Sequence, residues 1–232
     1  MKPSLKVKVV QYFWGEGHTA YRLGGRINEA YCRRHGYEHI VQSFSSRPDR
    51  ACLWEKLPAI RSELHDCDFL MYLDADAFFY SHDLKLEEEL VPLLEDKQIM
   101  MAADVASEAI RRDPSLPNSG TILIRTSARS EEILRVWDES SQRPELSRYR
   151  FAAYHEQEAC WRTVWKEYAD EFKLLREYYL MNGYYGPFIR HLMAMSNKDR
   201  LAVLHEYLER RPWLLNSEQQ DIFHEETGGG SC

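Results

Sequence analysis

Along the first hundred residues, short apolar runs alternate with apolar positions that recur every three or four residues. The runs have the length and the composition of β-strands, and the recurring positions have helical spacing. The strand-like runs cover residues 6–13, 37–42, 69–73 and 98–103. The helical positions lie within residues 26–35, 53–64 and 84–96. This alternation predicts an α/β domain with helices on the faces of its sheet.

The second half of the chain is less regular but continues with the same kinds of element. Pro114, Pro117 and Asn118 indicate a turn. Strands are predicted at residues 121–125, 172–175 and 188–193, and helices at 128–140, 156–168 and 201–208. No repeat and no linker divides the chain, so we expect one domain over residues 1–226 and a flexible tail over residues 227–232.

Composition and charge narrow the functional classes. The chain of 232 residues is 44% hydrophobic and 29% charged, which is typical of globular rather than disordered proteins. Its 30 Lys and Arg against 37 Asp and Glu give a net charge of −7, which argues against nucleic acid as a partner. The sequence contains no basic amphipathic helix and no apolar run of about 18 residues, so we expect no membrane span.

The five cysteines are scattered along the chain and lack the spacing of zinc-binding motifs. We therefore expect reduced thiols. The first residues do not resemble a signal peptide, and this indicates a cytoplasmic protein. No pattern in the sequence predicts an oligomeric state.

The strongest candidates for chemistry are Asp74 and Asp76, which follow the apolar run at 69–73 directly. Residues i and i+2 of an extended backbone point to the same side, so both carboxylates are expected at the sheet edge where ligands bind. Two carboxylates ~6 Å apart repel by roughly 3 kcal/mol at an effective dielectric constant of 20. A proton, a basic side chain, or Mg²⁺ or Mn²⁺ would relieve this repulsion. We expect a metal site rather than two solvated turn residues.

Several motifs along the chain occur in the order seen in one enzyme family. They are Trp54 and Lys56 on a helix, Asp74-Ala75-Asp76 after a strand, Asn118-Ser119-Gly120 before a strand, Glu156-Gln157 at a helix start, and His191 followed by Lys198 and Arg200. The set resembles the nucleotide-sugar glycosyltransferases of the GT-A fold, and most closely the retaining galactosyl-, mannosyl- and xylosyltransferases. The resemblance implies a single GT-A domain of the α/β class, with a mixed, mostly parallel central sheet flanked by helices.

The resemblance also implies how the domain would work. Residues 1–103 would form a Rossmann-like half that binds the nucleotide sugar, and residues 104–226 the acceptor and catalytic half. The donor would be a nucleoside-diphosphate sugar, with a UDP-sugar favoured and a GDP-sugar possible, and the acceptor a glycan hydroxyl. A Mn²⁺ or Mg²⁺ ion bound to Asp74, Asp76 and His191 would assist departure of the diphosphate. The anomeric configuration would be retained.

Further residues take their expected roles from the same resemblance. Glu156 and Gln157 would lie near the reacting carbon, where they would stabilise positive charge or orient the acceptor. The residues expected to contact the donor are Tyr12, Lys56, Asp74, Ala75, Asp76, Asp104, Asn118, Gly120, Lys198 and Arg200. Structural interpretations stand beside these roles, since an acidic residue also suits a helix N terminus and Tyr12 could belong to the core.

Three other functions remain open on the sequence. Phosphatases of the haloacid dehalogenase type also place Asp-x-Asp after an apolar strand, but no later Gly-Asp cluster completes their metal site here. Residues 15–20 match the G-x-G-x-x-A pattern of dinucleotide-binding folds, although Gln42 lies near the position of the expected acidic residue. A non-catalytic module that binds sugar nucleotides or glycans is compatible with the same motifs.

Overall fold

The computed structural model describes residues 5–14, 19–44, 47–104, 116–151, 155–176 and 180–214. The predicted tail at 227–232, Pro114 and most of the 15–20 segment lie outside these residues. The strands are β1 (Val7–Tyr12), β2 (Glu38–Gln42), β3 (Phe69–Leu73), β4 (Ala77–Phe79), β5 (Ile99–Ala103), β6 (Pro117–Arg125), β7 (Phe172–Leu175) and β8 (Ile189–His191). Six of them form a central sheet in the order β2-β1-β3-β6-β5-β7, and β4 pairs with β8 in a separate small sheet.

The central sheet is mixed, with parallel pairing of β1 with β2, β1 with β3, and β5 with β7. Strand β6 lies between β3 and β5 and is antiparallel to both. Every residue of β3 is buried, with Met71 and Leu73 packed on one face and Leu70 and Tyr72 on the other. Because helices cover both faces, this strand is a continuous apolar run in the sequence and does not alternate with polar residues.

Helices cover both faces of this sheet, and the last of the described helices packs on the first. They are α1 (Thr19–His35), α2 (Lys56–Glu63), α3 (Leu86–Glu89), α4 (Val91–Leu94), α5 (Ala128–Glu139), α6 (His155–Arg162), α7 (Val164–Glu167) and α8 (Asn197–Glu209). Leu57 of α2 and Trp137 of α5 are buried in one core cluster, and Tyr31 of α1 and Leu94 of α4 in another. Among the described residues, no helix is both long enough and apolar enough to cross a bilayer.

Helix α1 begins at Thr19, well before residue 26, where the apolar spacing predicts its start. Gly24 and Gly25 lower helix propensity, and the sequence therefore favoured a loop there. In the structure, a Cβ atom at Gly25 would lie 3.1 Å from the ring of Phe13, and one at Gly24 would lie 3.6 Å from the carbonyl oxygen of Ala75. The two glycines let α1 pack closely against the end of β1 and the loop after β3.

The turn predicted at Pro117 and Asn118 is not present, because β6 already begins there. Pro117 and Asn118 indicated a turn, but they are the first residues of a nine-residue strand that also includes Ser119 and Gly120. Pro, Asn, Ser and Gly are the residues that turns favour, so local propensity was misleading. The Asn118 side-chain oxygen accepts a hydrogen bond from the Gly120 N–H at 2.8 Å. The polar residues of the motif are thus held in an extended segment.

Two predicted helices are each divided into two pieces. The segment at 84–96 forms the short helices α3 and α4, and the segment at 156–168 forms α6 and α7. Thr163 interrupts the second, with φ −119° and ψ −99°, while its hydroxyl donates to a backbone carbonyl one turn earlier. Two local features fit their residues: Gly36, with φ +73°, follows the last residue of α1, and Pro58 lies in the first turn of α2.

We expect the protein to lose stability as the pH falls from 6.5 to 4, in part because His82 is buried without charge. Burial first, and then the charges of Arg34, His35 and Arg211, lower the pKa of His82 from 6.5 to about 4. The folded state therefore binds fewer protons than the unfolded state, and this contribution is present above pH 6.5 and lost as the pH falls to 4. Its full loss lowers the free energy of unfolding by about 3 kcal/mol.

The substitution His82→Phe should therefore reduce the difference in unfolding free energy between pH 7 and pH 4.5. Urea unfolding at both pH values measures this difference. His65→Phe is the control, since His65 is exposed. If His82→Phe and the wild type lost the same free energy on acidification, the burial of a neutral His82 would not contribute.

Candidate active site

A pocket of about 510 Å³ opens at the sheet edge where β1 and β3 end and β6 begins. This volume is in the range of pockets that hold small ligands. The predicted site residues that line it are Tyr12, Lys56, Asp74, Ala75, Asp76, Asp104, Asn118, Gly120, Glu156, Gln157, His191 and Arg200. Lys198 is exposed on α8 and is not part of this lining. Positions two apart on a helix differ by about 200° in direction, so Lys198 and Arg200 face opposite ways.

Two acidic side chains and one imidazole come together in this pocket. Asp74 and Asp76 lie in the short loop from β3 to β4, and the antiparallel pairing of β4 with β8 sets His191 opposite Ala77. His191 Nε2 consequently lies 3.1 Å from Asp76 Oδ1 and 3.9 Å from Asp74 Oδ2. A metal ion with bonds of about 2.1 Å separates its ligand atoms by about 3 to 4 Å. The three side chains therefore fit a divalent ion.

The second oxygen of each carboxylate is held by a partner from another part of the fold. Asp74 Oδ1 lies 2.9 Å from the Lys56 ammonium and accepts a hydrogen bond from the Tyr72 hydroxyl at 3.0 Å. Asp76 Oδ2 accepts a hydrogen bond from Arg200 Nη2 at 2.7 Å. The remaining oxygens, Oδ2 of Asp74 and Oδ1 of Asp76, are the two that face the imidazole. Such anchoring is what orients the ligands of a metal site.

The electrostatics of the group follow from its burial and its charges. Burial alone would raise the pKa of Asp76, but His191 and then Arg200 lower it to about 2. Burial alone would lower the pKa of His191, but the neighbouring Asp76 raises it. Without a metal, the two side chains form a charged pair. A divalent ion bound between them would take the place of the proton on Nε2.

Lys56 lies deep in the pocket and joins two acidic side chains. Its side chain is 3% exposed, and its ammonium lies 2.9 Å from Asp74 Oδ1 and 2.8 Å from Glu156 Oε1. It also donates to the carbonyl oxygen of Ser119 at 3.2 Å. Burial alone would lower the pKa of Lys56, but Asp74 and Glu156 raise it. The ammonium of Lys56 therefore lies between two carboxylates of the protein itself.

Ser119 is a central residue of the pocket that sequence reasoning did not assign to the site. Its N–H donates to Gln157 Oε1 at 2.8 Å, and its hydroxyl donates to Glu156 Oε1 at 2.9 Å. Gln157 Nε2 in turn donates to Asp104 Oδ2 at 3.0 Å. The side chains of Glu156 and Gln157 are thus held in fixed and different positions. The sequence did contain a signal for Ser119, since it lies between Asn118 and Gly120, which were both expected to contact the donor.

Gly120 leaves space for two of the candidate ligands. A Cβ atom at this position would overlap the His191 ring and would lie 2.9 Å from Asp74 Oδ2. The carbonyl oxygen of Gly120 also accepts a hydrogen bond from the Asp74 N–H at 2.7 Å. Any side chain larger than hydrogen would displace the candidate ligands.

The fold is the one found in the GT-A glycosyltransferases. A glycosyltransferase involved in the glycosylation of the major capsid of PBCV-1 has the same fold, with a TM-score of 0.70 and 12% identity over 87% of this chain and 99% of that one. The apo-form glycosyltransferase GlyE of Streptococcus pneumoniae TIGR4 aligns with a TM-score of 0.55 and 16% identity over 96% of this chain and 63% of that one. The TM-scores establish similarity of fold, and at these low identities they establish nothing more.

The amino-acid sequence assigns the protein to one family within this fold. Residues 26–167 match the galactosyl transferase GMA12/MNN10 family, and the chain belongs to that family. It is therefore a glycosyltransferase, as the ordered motifs implied. Membership implies a nucleotide-sugar donor and a glycan acceptor, and it removes the grounds for the phosphatase and dinucleotide-binding interpretations. No curated protein sequence matches the chain.

We expect Gly120→Ala to weaken the binding of Mn²⁺ to the protein strongly, because the added methyl group overlaps the His191 ring. Isothermal titration calorimetry with Mn²⁺ measures the affinity, and circular dichroism checks that the variant is folded. Gly24→Ala is the matched control, since its Cβ would make only an ordinary contact, at 3.6 Å from Ala75 O. An unchanged Mn²⁺ affinity in Gly120→Ala would show that the ion binds elsewhere.

Proposed function

We propose that the enzyme is a metal-dependent, retaining glycosyltransferase that moves a sugar from a nucleoside-diphosphate donor to a glycan hydroxyl. A UDP-sugar is the favoured donor and a GDP-sugar the alternative. The observation that carries the proposal is the arrangement of Asp74, Asp76 and His191, whose unanchored ligand atoms face one another. The group lies in a pocket that also contains Glu156 and Gln157.

The proposed ion is Mn²⁺, with Mg²⁺ as the alternative. Imidazole nitrogen suits transition metals, whereas Mg²⁺ prefers an all-oxygen environment. Asp74, Asp76 and His191 would hold the ion through Oδ2, Oδ1 and Nε2, the atoms that their other contacts leave available. When bound, such an ion acts as a Lewis acid that neutralises charge on the diphosphate leaving group.

Two basic residues of the pocket, Lys56 and Arg200, are proposed to have different roles. Lys56 would hold Asp74 and Glu156 in place rather than contact phosphate. Arg200 lines the pocket and would contribute positive charge beside the diphosphate while it orients Asp76. The ring of Tyr12 lines the same pocket, with its hydroxyl donating to Phe44 O at 2.9 Å, and is proposed to contact the base.

Glu156 and Gln157 are proposed to act at the reacting carbon in different ways. Gln157 is bonded on both sides, to the Ser119 N–H and to Asp104, and would position the sugar through this fixed amide. The carboxylate of Glu156 is buried and bonded through Oε1 to Lys56 and Ser119, and would stabilise positive charge that develops on the sugar.

Retention would follow from a front-face displacement. The bond between the anomeric carbon and the phosphate oxygen breaks, and a new bond to the acceptor oxygen forms on the same face. The departing phosphate oxygen takes the acceptor proton, so no additional base is needed. The pocket draws Tyr12, Lys56 and Asp74 from residues 1–103, and Asn118 and Glu156 from the later part. This supports the proposed division into a donor half and an acceptor half.

Asp76→Asn should lower the transfer rate by about 100-fold or more, because it removes an anionic ligand atom that faces His191. It should also weaken Mn²⁺-dependent binding of UDP, measured by calorimetry with and without the metal. Asp83→Asn is the control, since Asp83 is an exposed carboxylate paired with Arg34. Normal turnover by Asp76→Asn in the presence of EDTA would contradict the metal assignment.

The product formed from an α-linked sugar nucleotide should also be α-linked. Proton NMR of the anomeric signal of the product distinguishes the two configurations, because the new glycosidic bond does not mutarotate. A β-linked product would contradict retention and would instead favour Glu156 as the general base that activates the acceptor hydroxyl.

A further inference from the structure

A buried asparagine lies directly behind the candidate metal ligand His191. Asn182 is fully buried, and its Oδ1 lies 2.7 Å from His191 Nδ1. It comes from the segment that precedes β8, and it does not line the pocket. No motif in the sequence marks it. Its contact is with the nitrogen of the imidazole that faces away from Asp74 and Asp76.

The orientation of the Asn182 amide follows from its second partner. Asn182 Nδ2 lies 3.4 Å from the carbonyl oxygen of Ala103, at the end of β5. A carbonyl oxygen only accepts hydrogen bonds, so the atom facing it must be the amide nitrogen. The amide oxygen therefore faces His191, and since an amide oxygen also only accepts, His191 Nδ1 must carry the hydrogen.

The hydrogen on Nδ1 decides what the other ring nitrogen can do. A neutral imidazole carries one hydrogen, so fixing it on Nδ1 leaves the lone pair on Nε2. Nε2 is the atom 3.1 Å from Asp76 Oδ1 and 3.9 Å from Asp74 Oδ2. We infer that Asn182 is a positioning residue, which selects the His191 tautomer that binds a divalent metal and holds the ring in its binding orientation. This inference rests on the proposed metal site.

The segment around Asn182 is fixed by backbone contacts as well. The His191 N–H donates to the Gly183 carbonyl at 3.3 Å, which closes the loop between the two partners. The Tyr184 hydroxyl donates to the carbonyl of Met193 at 2.6 Å, across the same loop. These bonds keep Asn182 and His191 in register, so the hydrogen bond between their side chains does not depend on a freely rotating residue.

The link to β5 connects this pair to the catalytic side of the pocket. Ala103, which accepts from Asn182, is followed by Asp104, which accepts from Gln157. The end of one strand thus supports both the metal ligand and a residue proposed to act on the sugar.

Three variants test this inference with Mn²⁺ alone as the probe. Asn182→Leu keeps the approximate volume and removes the acceptor, whereas Asn182→Asp keeps an oxygen acceptor for the Nδ1 hydrogen. Ser140→Ala is the matched control, since it removes a buried hydrogen bond to Trp137 O, which is not among the pocket residues. Electron paramagnetic resonance of free Mn²⁺ gives the Kd of each folded protein without any need for turnover.

Asn182→Leu should weaken Mn²⁺ binding by about 10- to 100-fold, as the loss of such a supporting contact commonly does. Asn182→Asp should recover most of the affinity, and Ser140→Ala should bind as the wild type does. Nitrogen-15 NMR of the wild type with Mg²⁺ should show hydrogen on His191 Nδ1. Equal Kd values for Asn182→Leu and the wild type, no recovery in Asn182→Asp, or an Nδ1 without hydrogen would overturn this inference alone. Absence of Mn²⁺ binding by the wild type would overturn the proposed metal site together with it.

Discussion

The pocket depends on one buried ammonium group between two carboxylates. Asp74, Asp76, Asp104 and Glu156 all line the same cavity, and only a nearby positive charge allows such a concentration of acidic side chains away from water. Lys56 on α2 provides it for Asp74 at the end of β3 and for Glu156 on α6. Removing one member of a buried ion pair commonly costs about 3 to 5 kcal/mol, because the other charge is left uncompensated. Two ion pairs made by one ammonium group therefore link three separate elements.

Much of the fold could be predicted from the apolar pattern, because most strands are buried on both faces. The run at 69–73 coincides with β3. A strand covered on both faces is apolar at every position, so the limits of the apolar run are the limits of the strand. The start of α1 could not be predicted, because Gly24 and Gly25 are tolerated only through their contacts with the distant Phe13 and Ala75. The prediction of a turn at the start of β6 was wrong for a similar reason. Tertiary contacts held turn-forming residues in an extended conformation.

For the candidate site too, local patterns could be predicted from the sequence and tertiary contacts could not. Asp74 and Asp76 could be recognised because they are two positions apart and follow a strand, and the ordered motifs indicated His191 and Glu156. What each side chain contacts could not be predicted, because the contacts join distant parts of the chain. Lys56 was expected to contact the donor, and its pairing with Asp74 and Glu156 had no signal in the sequence. Asn182 belongs to no motif, and only the folded chain brings its amide against the imidazole.

The reversed direction of β6 has a consequence for how such pockets arise. In a purely parallel sheet, only residues that follow strands reach the ligand edge. Here one strand is inverted, so Leu73 pairs with Thr121, and the beginning of β6 meets the end of β3. Polar residues that precede a strand thereby join those that follow one. Comparable sites in other mixed sheets should thus have two kinds of sequence motif. One follows an apolar run, the other precedes one, and the segment that reverses the chain direction lies between them.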